Sequence, residues 1–562
     1  MYKFNQTYWA VTACLLPFSC SVFAEQNPLS QELQRLKHQE VLQDAEKALQ
    51  QADKFLSQGK KPSSQTEIVV DKNLPIIQKI SVDTLGIDAL VDLSPIIARY
   101  QGANITSQQI FAISQEITAA LYQAGYVTSA VGLKSTELSD GHLQFIVYWG
   151  EVDRYLVNGE FPTAFKDKAM LSVLPKFSHN VFILHQIDQF IEMMNTSNKS
   201  VTVDVLPSQN EGKSDLNFIA QRDKWPKFQL GYNNSGVENN ANGRNQATLA
   251  VRMGDVIGTN DEWNISMGYR FYRQPKQNKQ INYSISYSQP FSFYTLETKF
   301  AQSNYERFVK GNNNGYSSSG RTNTLNLKLS RMLFRDKESI FSIYNELEFK
   351  NRNNFIVNRK VLERHEYKMN LGLSYITNLL NGKLYSELTY SNGLNWFHSD
   401  ALAYDGQGDR TLRTLSGNVT WSKPVQILKH NSLYQFRVGA QYSPYHLYSD
   451  NQFSLGDEYT VRGFKGGVIS GESGAYISQT LSFPFYPQKF SISQMTPFIG
   501  VDVGQIYHKS EQPKQTIAGF ATGVKATFFN KLSLAFSYAK PLKNIKHNHN
   551  NTVYYFNGTV SF

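Results

Sequence analysis

Few residues of this chain combine a reactive type with a telling spacing. Arg462 stands in Val461-Arg462-Gly463-Phe464, and Asp502 in Phe498-Ile499-Gly500-Val501-Asp502-Val503-Gly504. An arginine and a carboxylate can pair through two parallel hydrogen bonds, which fixes position as well as charge. Gly500 and Gly504 lie two residues either side of Asp502, so all three share one face of a strand. Glycines there leave room for another segment to come close. Gly463 permits a tight bend beside Arg462. The chemistry expected of this set is attachment. Arg462 would fasten a loop to a wall bearing Asp502, with Val461, Gly463, Phe464, Gly500 and Gly504 completing the lock.

Catalytic chemistry has little to stand on. Gly471-Glu472-Ser473-Gly474 resembles a nucleophile elbow only in part, because Ala475 replaces the final glycine and no strand-to-helix turn is evident. His547 and His549 sit in a polar turn with no other ligands nearby in sequence. The two cysteines, Cys14 and Cys20, both fall in the first 24 residues. Those residues carry Lys3, an apolar run from Tyr8 to Phe18 and a small-residue site ending at Ala24, so 1–24 is expected to be a secretory signal peptide. The mature chain then has no disulfide or thiolate. No enzyme activity, catalytic residue, cofactor or metal is expected. The net charge of +10 is scattered among acidic residues rather than gathered in a stripe, which argues against nucleic acid as a partner.

The elements that must position Arg462 and Asp502 are mostly strands. In Tyr434–Tyr442, Tyr434, Phe436, Val438, Ala440 and Tyr442 alternate with Gln435, Arg437, Gly439 and Gln441. Leu325–Ser330, Asn282–Tyr287 and Leu532–Ala539 repeat the pattern. Apolar and polar faces with Arg, Lys and Gln on the polar side fit a membrane barrel with a wet lumen. Residues 225–562, at roughly 21 residues per strand and turn, give about sixteen strands. The last segment alternates too and ends on Phe562, expected as a barrel assembly signal. Residues 443–473 separate two clear strands without a regular pattern of their own, and so long a loop is usually functional. We expect this loop to fold inward.

The region before the barrel is mixed. Asn27-Pro28 is a helix start. Leu29, Leu33, Leu36, Val41, Ala45, Leu49, Ala52 and Phe55 recur at helical spacing within 25–57. A helix of this length reaches about 42 Å. Residues 58–73 read as a polar linker. Two β-α-α-β-β modules follow, 74–150 and 151–224, a tandem repeat. The expected fold class is mainly β, with a transmembrane antiparallel barrel of about sixteen strands behind a helix and two α+β modules.

This order resembles the outer-membrane transporters of two-partner secretion, the TpsB family within the BamA-like superfamily. Val461–Phe464 matches that family's loop-tip motif, and Phe498–Gly504 its strand motif. Pro207–Ser214 looks like the end of its second periplasmic module, with Ser208 where the family often has glycine. Asn233–Gly236, with Gly254-Asp255, looks like its first barrel hairpin. The resemblance implies POTRA modules in the periplasm and a helix that plugs the resting barrel. It also implies a monomer, assembled by the barrel assembly machinery among outer-membrane lipids. Its partner would be an unfolded exoprotein, an adhesin, haemolysin or contact-dependent inhibition toxin, met at sheet edges by strand addition. Phe190, Met193 and Met194 are expected either to line a groove there or to be core. A BamA-like insertase and a passive porin stay open as alternatives.

Overall fold

The structure is a computed structural model. It describes residues 28–55, 77–88, 91–134, 141–174, 180–236, 243–310, 315–336, 338–397, 399, 412–487, 491–509, 514–543 and 552–562. The expected signal peptide, the 58–73 linker and the His547 and His549 turn lie outside the described residues.

The first α+β module grows from a well-specified helix, Ser107–Gln123. A capping box starts it: the Gln109 amide donates to Thr106 Oγ1 (3.2 Å) while Gln109 Oε1 accepts from the Thr106 amide (2.9 Å). Ile113, Ile117 and Leu121, four residues apart, lie on one side and are fully buried. They pack on Leu143, Phe145 and Val147, alternate residues of the strand His142–Tyr148. That strand is central, parallel to Lys79–Asp83 and antiparallel to Ala130–Leu133. The strand Ala130–Leu133 escapes sequence reading because Ala-Val-Gly-Leu has no alternation.

The second module repeats the plan. Lys213–Arg222 lies between Glu151–Val157 and Lys199–Pro207. The helices Phe165–Ser172 and Leu184–Met194 cover its sheet. Phe190 and Met194 are fully buried and Met193 nearly so, which makes them core and not a groove. Pro207–Ser214 is the turn joining the last two strands, with Gly212 at φ 74°, rather than the end of the module.

Sixteen antiparallel strands between Lys227 and Ser561 close into a barrel. Alternation sets the two faces. On the thirteenth strand, Ile492–Tyr507, Ile499, Val501 and Val503 are 45%, 50% and 44% exposed, while Gly500, Asp502 and Gly504 are buried. The apolar phase therefore meets lipid and the other lines the lumen. The first strand, Lys227–Asn233, closes on the sixteenth, Val553–Ser561, over five residue pairs, Asn233↔Asn557 to Gln229↔Ser561. Phe562 then exchanges both backbone hydrogen bonds with Phe228, so it extends this seam.

Two segments fill the lumen. The helix Pro28–Phe55 packs Ala45, Ala48 and Leu49 on Ile340, Ile376 and Tyr385 of the wall. Its other half departs from the expected apolar stripe, because Glu32, Gln34 and Arg35 are the buried residues there. A lumen lined by polar side chains rewards a polar helix face. Residues 443–472 fold inward, and they do carry regular structure: Phe453–Leu455 pairs antiparallel with Ile469–Gly471.

Candidate functional site

The inward loop reaches the wall at its tip. Arg462 Nε donates to Asp502 Oδ2 and Nη2 to Oδ1, each at 2.6 Å. The Arg462 amide adds a third bond to Oδ2 at 2.9 Å. The Asp502 side chain is fully buried. Nη2 also donates to the Gln479 carbonyl (3.2 Å) on the neighbouring strand. A buried charge pair of this kind stands only when its other donors and acceptors are also satisfied, and here one carboxylate takes three donors.

Glycines make the approach possible. A Cβ on Gly500 would overlap the Arg462 guanidinium, and one on Gly519, on the fourteenth strand Gln515–Phe528, would overlap the Arg462 carbonyl. A Cβ on Gly504 would stand 2.7 Å from Leu455 and 2.9 Å from Val461. Gly463 has φ +105°, a conformation that disfavours side chains. Val461 and Phe464 are buried with Leu455, Ile469, Tyr476, Ile506 and Ile517 in an apolar cluster beside the ion pair.

Sequence reasoning missed two parts of this site. Gly519 is one. The other is Tyr555 on the last strand, whose hydroxyl accepts from the Gly463 amide (3.1 Å) and donates to the Phe464 carbonyl. The alternation puts Tyr555 on the inner face, but no motif marks it. Lys465 Nζ donates to the Asn234 carbonyl (2.8 Å), just past the first strand. The tip thus touches both sides of the seam.

The loop base meets the helix. His38 Nδ1 lies 2.8 Å from Asp457 Oδ2. Asp457 Oδ1 meanwhile accepts from the Tyr459 and Thr460 amides at 2.9 and 2.8 Å, turning the chain toward Arg462. Glu32 accepts from Arg270 Nη2 of the wall (2.7 Å) and from Arg35 (2.9 Å). The helix therefore sits wedged between loop and wall.

The second periplasmic module is tied to the barrel's first periplasmic turn. Lys199 Nζ meets Asp255 Oδ1 at 2.5 Å and Asn260 Oδ1 at 2.7 Å. Arg222 bridges Asp255 (3.2 Å) and Asp167 (2.8 Å). Burial pushes the Lys199 ammonium down to about 8, whereas at Asp255 the two cations outweigh burial and hold the carboxyl below its usual range. The lowered lysine argues against a charged pair and the lowered carboxyl argues for one. Two salt bridges on a single carboxylate favour the direction at Asp255.

Residues 212–526, more than half of the chain, match the family of haemolysin secretion/activation proteins ShlB/FhaC/HecB. The chain belongs to this family. Residues 76–150 match the ShlB-type POTRA domain. The chain is 26% identical over 443 residues to the outer membrane transporter CdiB of Dickeya dadantii (strain 3937), covering 77% of each protein. It is 26% identical over 436 residues to the hemolysin transporter protein HpmB of Proteus mirabilis, covering 75% of this chain and 74% of that one. CdiB from Escherichia coli has the same fold, with a TM-score of 0.85 at 22% identity over 96% of this chain and 100% of that one. This member of the family is an outer-membrane transporter of two-partner secretion, with POTRA domains in the periplasm.

Proposed function

We propose that this transporter passes one large exoprotein, unfolded, from the periplasm through the barrel lumen, and that the Arg462–Asp502 pair is the lock that holds its inward loop in a working position. The observation that carries the reading is that pair, in which a fully buried Asp502 carboxylate takes three donors from a largely buried Arg462. A carboxylate so placed is costly unless the arginine stays. The cargo class is a haemolysin, as in the name of the Proteus mirabilis relative, or a contact-dependent inhibition toxin or adhesin, the other kinds the family resemblance implies. The POTRA modules would receive it by strand addition at their sheet edges. The transporter works as a monomer in outer-membrane lipid, after insertion by the barrel assembly machinery.

The role is transport without catalysis. Ser473 of the incomplete elbow accepts from the Ser443 amide at 3.0 Å and donates to its carbonyl at 3.3 Å, which supports a structural part at the loop's neck.

The deciding experiment is export of the large exoprotein encoded beside this chain, with wild type and Arg462→Ala at matched outer-membrane levels. Export by wild type and its loss in the variant is the expected result. Export by both would remove the lock's necessity. Export by neither, with a folded barrel, would favour the insertase or porin.

A further inference from the structure

The inward loop carries a second charged anchor, on a different wall. Asp450 lies just before the loop's short ribbon, and its side chain is 1% exposed. Lys350 Nζ stands 2.8 Å from its Oδ2, Arg352 Nη1 3.6 Å from the same oxygen, and Arg364 Nη2 2.6 Å from Oδ1. Lys350 and Arg352 belong to the seventh barrel strand, Ser339–Ile356, and Arg364 to the eighth, Arg359–Leu379. The next loop residue joins in: Asn451 Nδ2 donates to both oxygens of Glu366, at 2.9 and 3.0 Å. The Arg364 guanidinium also covers the Tyr448 ring, 4.2 Å from its centre.

We propose that Asp450 is a positioning residue that makes the loop a brace across the lumen, pinned by Asp450 to the seventh and eighth strands and by Arg462 to the thirteenth. The two anchors have separate duties. Arg462 fixes the tip. Asp450 holds the outer arm, and with it the helix, because Gln34 Nε2 donates to the carbonyls of Ser449 (2.7 Å) and Gln452 (3.2 Å) on either side of Asp450. Charge explains why the arm would leave when Asp450 is neutralised. Three cations would then face each other, with Glu366 4.0 Å from Arg364, in a site where their side chains are at most 10% exposed. The resting pore stays narrow while the arm is pinned.

The test uses the full chain in planar bilayers, with heat-modifiable migration on gels to show a folded barrel. Asp450→Asn is expected to raise the frequency of large-conductance openings about tenfold or more, the factor that about 1.4 kcal/mol of lost anchoring gives. Asp450→Glu keeps the charge and is expected to open at close to the wild-type frequency. Trypsin supplies the independent readout. Arg462 is buried against Asp502, so Asp450→Asn should still resist cleavage after Arg462. Unchanged openings in folded Asp450→Asn would overturn the proposal. So would openings in Asp450→Glu as frequent as those in Asp450→Asn, or cleavage after Arg462 in Asp450→Asn, which would make the two anchors one.

Discussion

A methyl group on Gly519 has nowhere to go but into the Arg462 carbonyl. We expect Gly519→Ala to push the tip off the wall at a cost of about 1–3 kcal/mol. Export should fall toward the level of Arg462→Ala, and the gel-shift temperature of the barrel should drop. Tyr555→Phe removes one hydroxyl and leaves the Gly463 amide and the Phe464 carbonyl short of a partner. That should lower stability by about 1–3 kcal/mol, read in the same thermal assay. Of these residues, Asp502, Gly500 and Gly504 were legible because period-two spacing sorts a strand's faces without reference to other strands, and Arg462 because its tetrapeptide matches the family's loop-tip motif. Gly519 and Tyr555 were not. Gly519 is the cross-strand partner of Asp502 on the next strand, so finding it needs the hairpin register, and Tyr555, two strands further on, meets the tip only in the assembled barrel.

The helix and the second POTRA module show what element-level reading catches and loses. Apolar spacing located the helix Pro28–Phe55, yet its first half is held by charge. Glu32→Ala leaves Arg270 and Arg35 without their shared carboxylate. Removing one partner of a buried ion pair costs about 3–5 kcal/mol, so we expect more frequent channel openings and faster protease cutting of the helix. At the module's junction, Asp255 gives a pH signature. Its carboxyl titrates lower in the docked state than free, so docking is favoured above its free value, about 4, and is lost as pH falls through the lowered value. A fluorescence pair on the module and the barrel should report constant proximity from neutral pH to about 4.5, then separation in stronger acid. Asp255→Asn should separate the two already at neutral pH. Sequence marked Gly254-Asp255 as part of the first barrel hairpin, whereas Asp255 lies in the turn after the second strand, and its pairing with Lys199 was hidden because the two charges belong to separate units.

At the scale of the whole molecule, length and alternation sufficed for a barrel of about sixteen strands, because roughly 21 residues per strand and turn divide residues 225–562 into that number, and sixteen strands close the barrel. The course of the cargo is a separate question, and the seam offers a test. Leu230 and Val560 are cross-strand partners there, and no cysteine follows Cys20, so Leu230→Cys with Val560→Cys can form one clean disulfide. If cargo uses the lumen, export continues with the seam locked. Loss of export on oxidation, restored by reductant, would place the path through the seam. The seam has one more consequence, which falls on its surroundings. Its first strand has seven residues, against twenty-one in the sixth and eighth strands. Seven residues extend roughly 24 Å along the strand. Tilted by about 45°, they cover only about 17 Å of an apolar band about 25 Å tall. Lipids on that side must shorten or tilt to cover the wall, while those along the tall side pack at full height. One protein would thus impose two membrane thicknesses, and in a mixed bilayer short-chain lipids should gather at the seam.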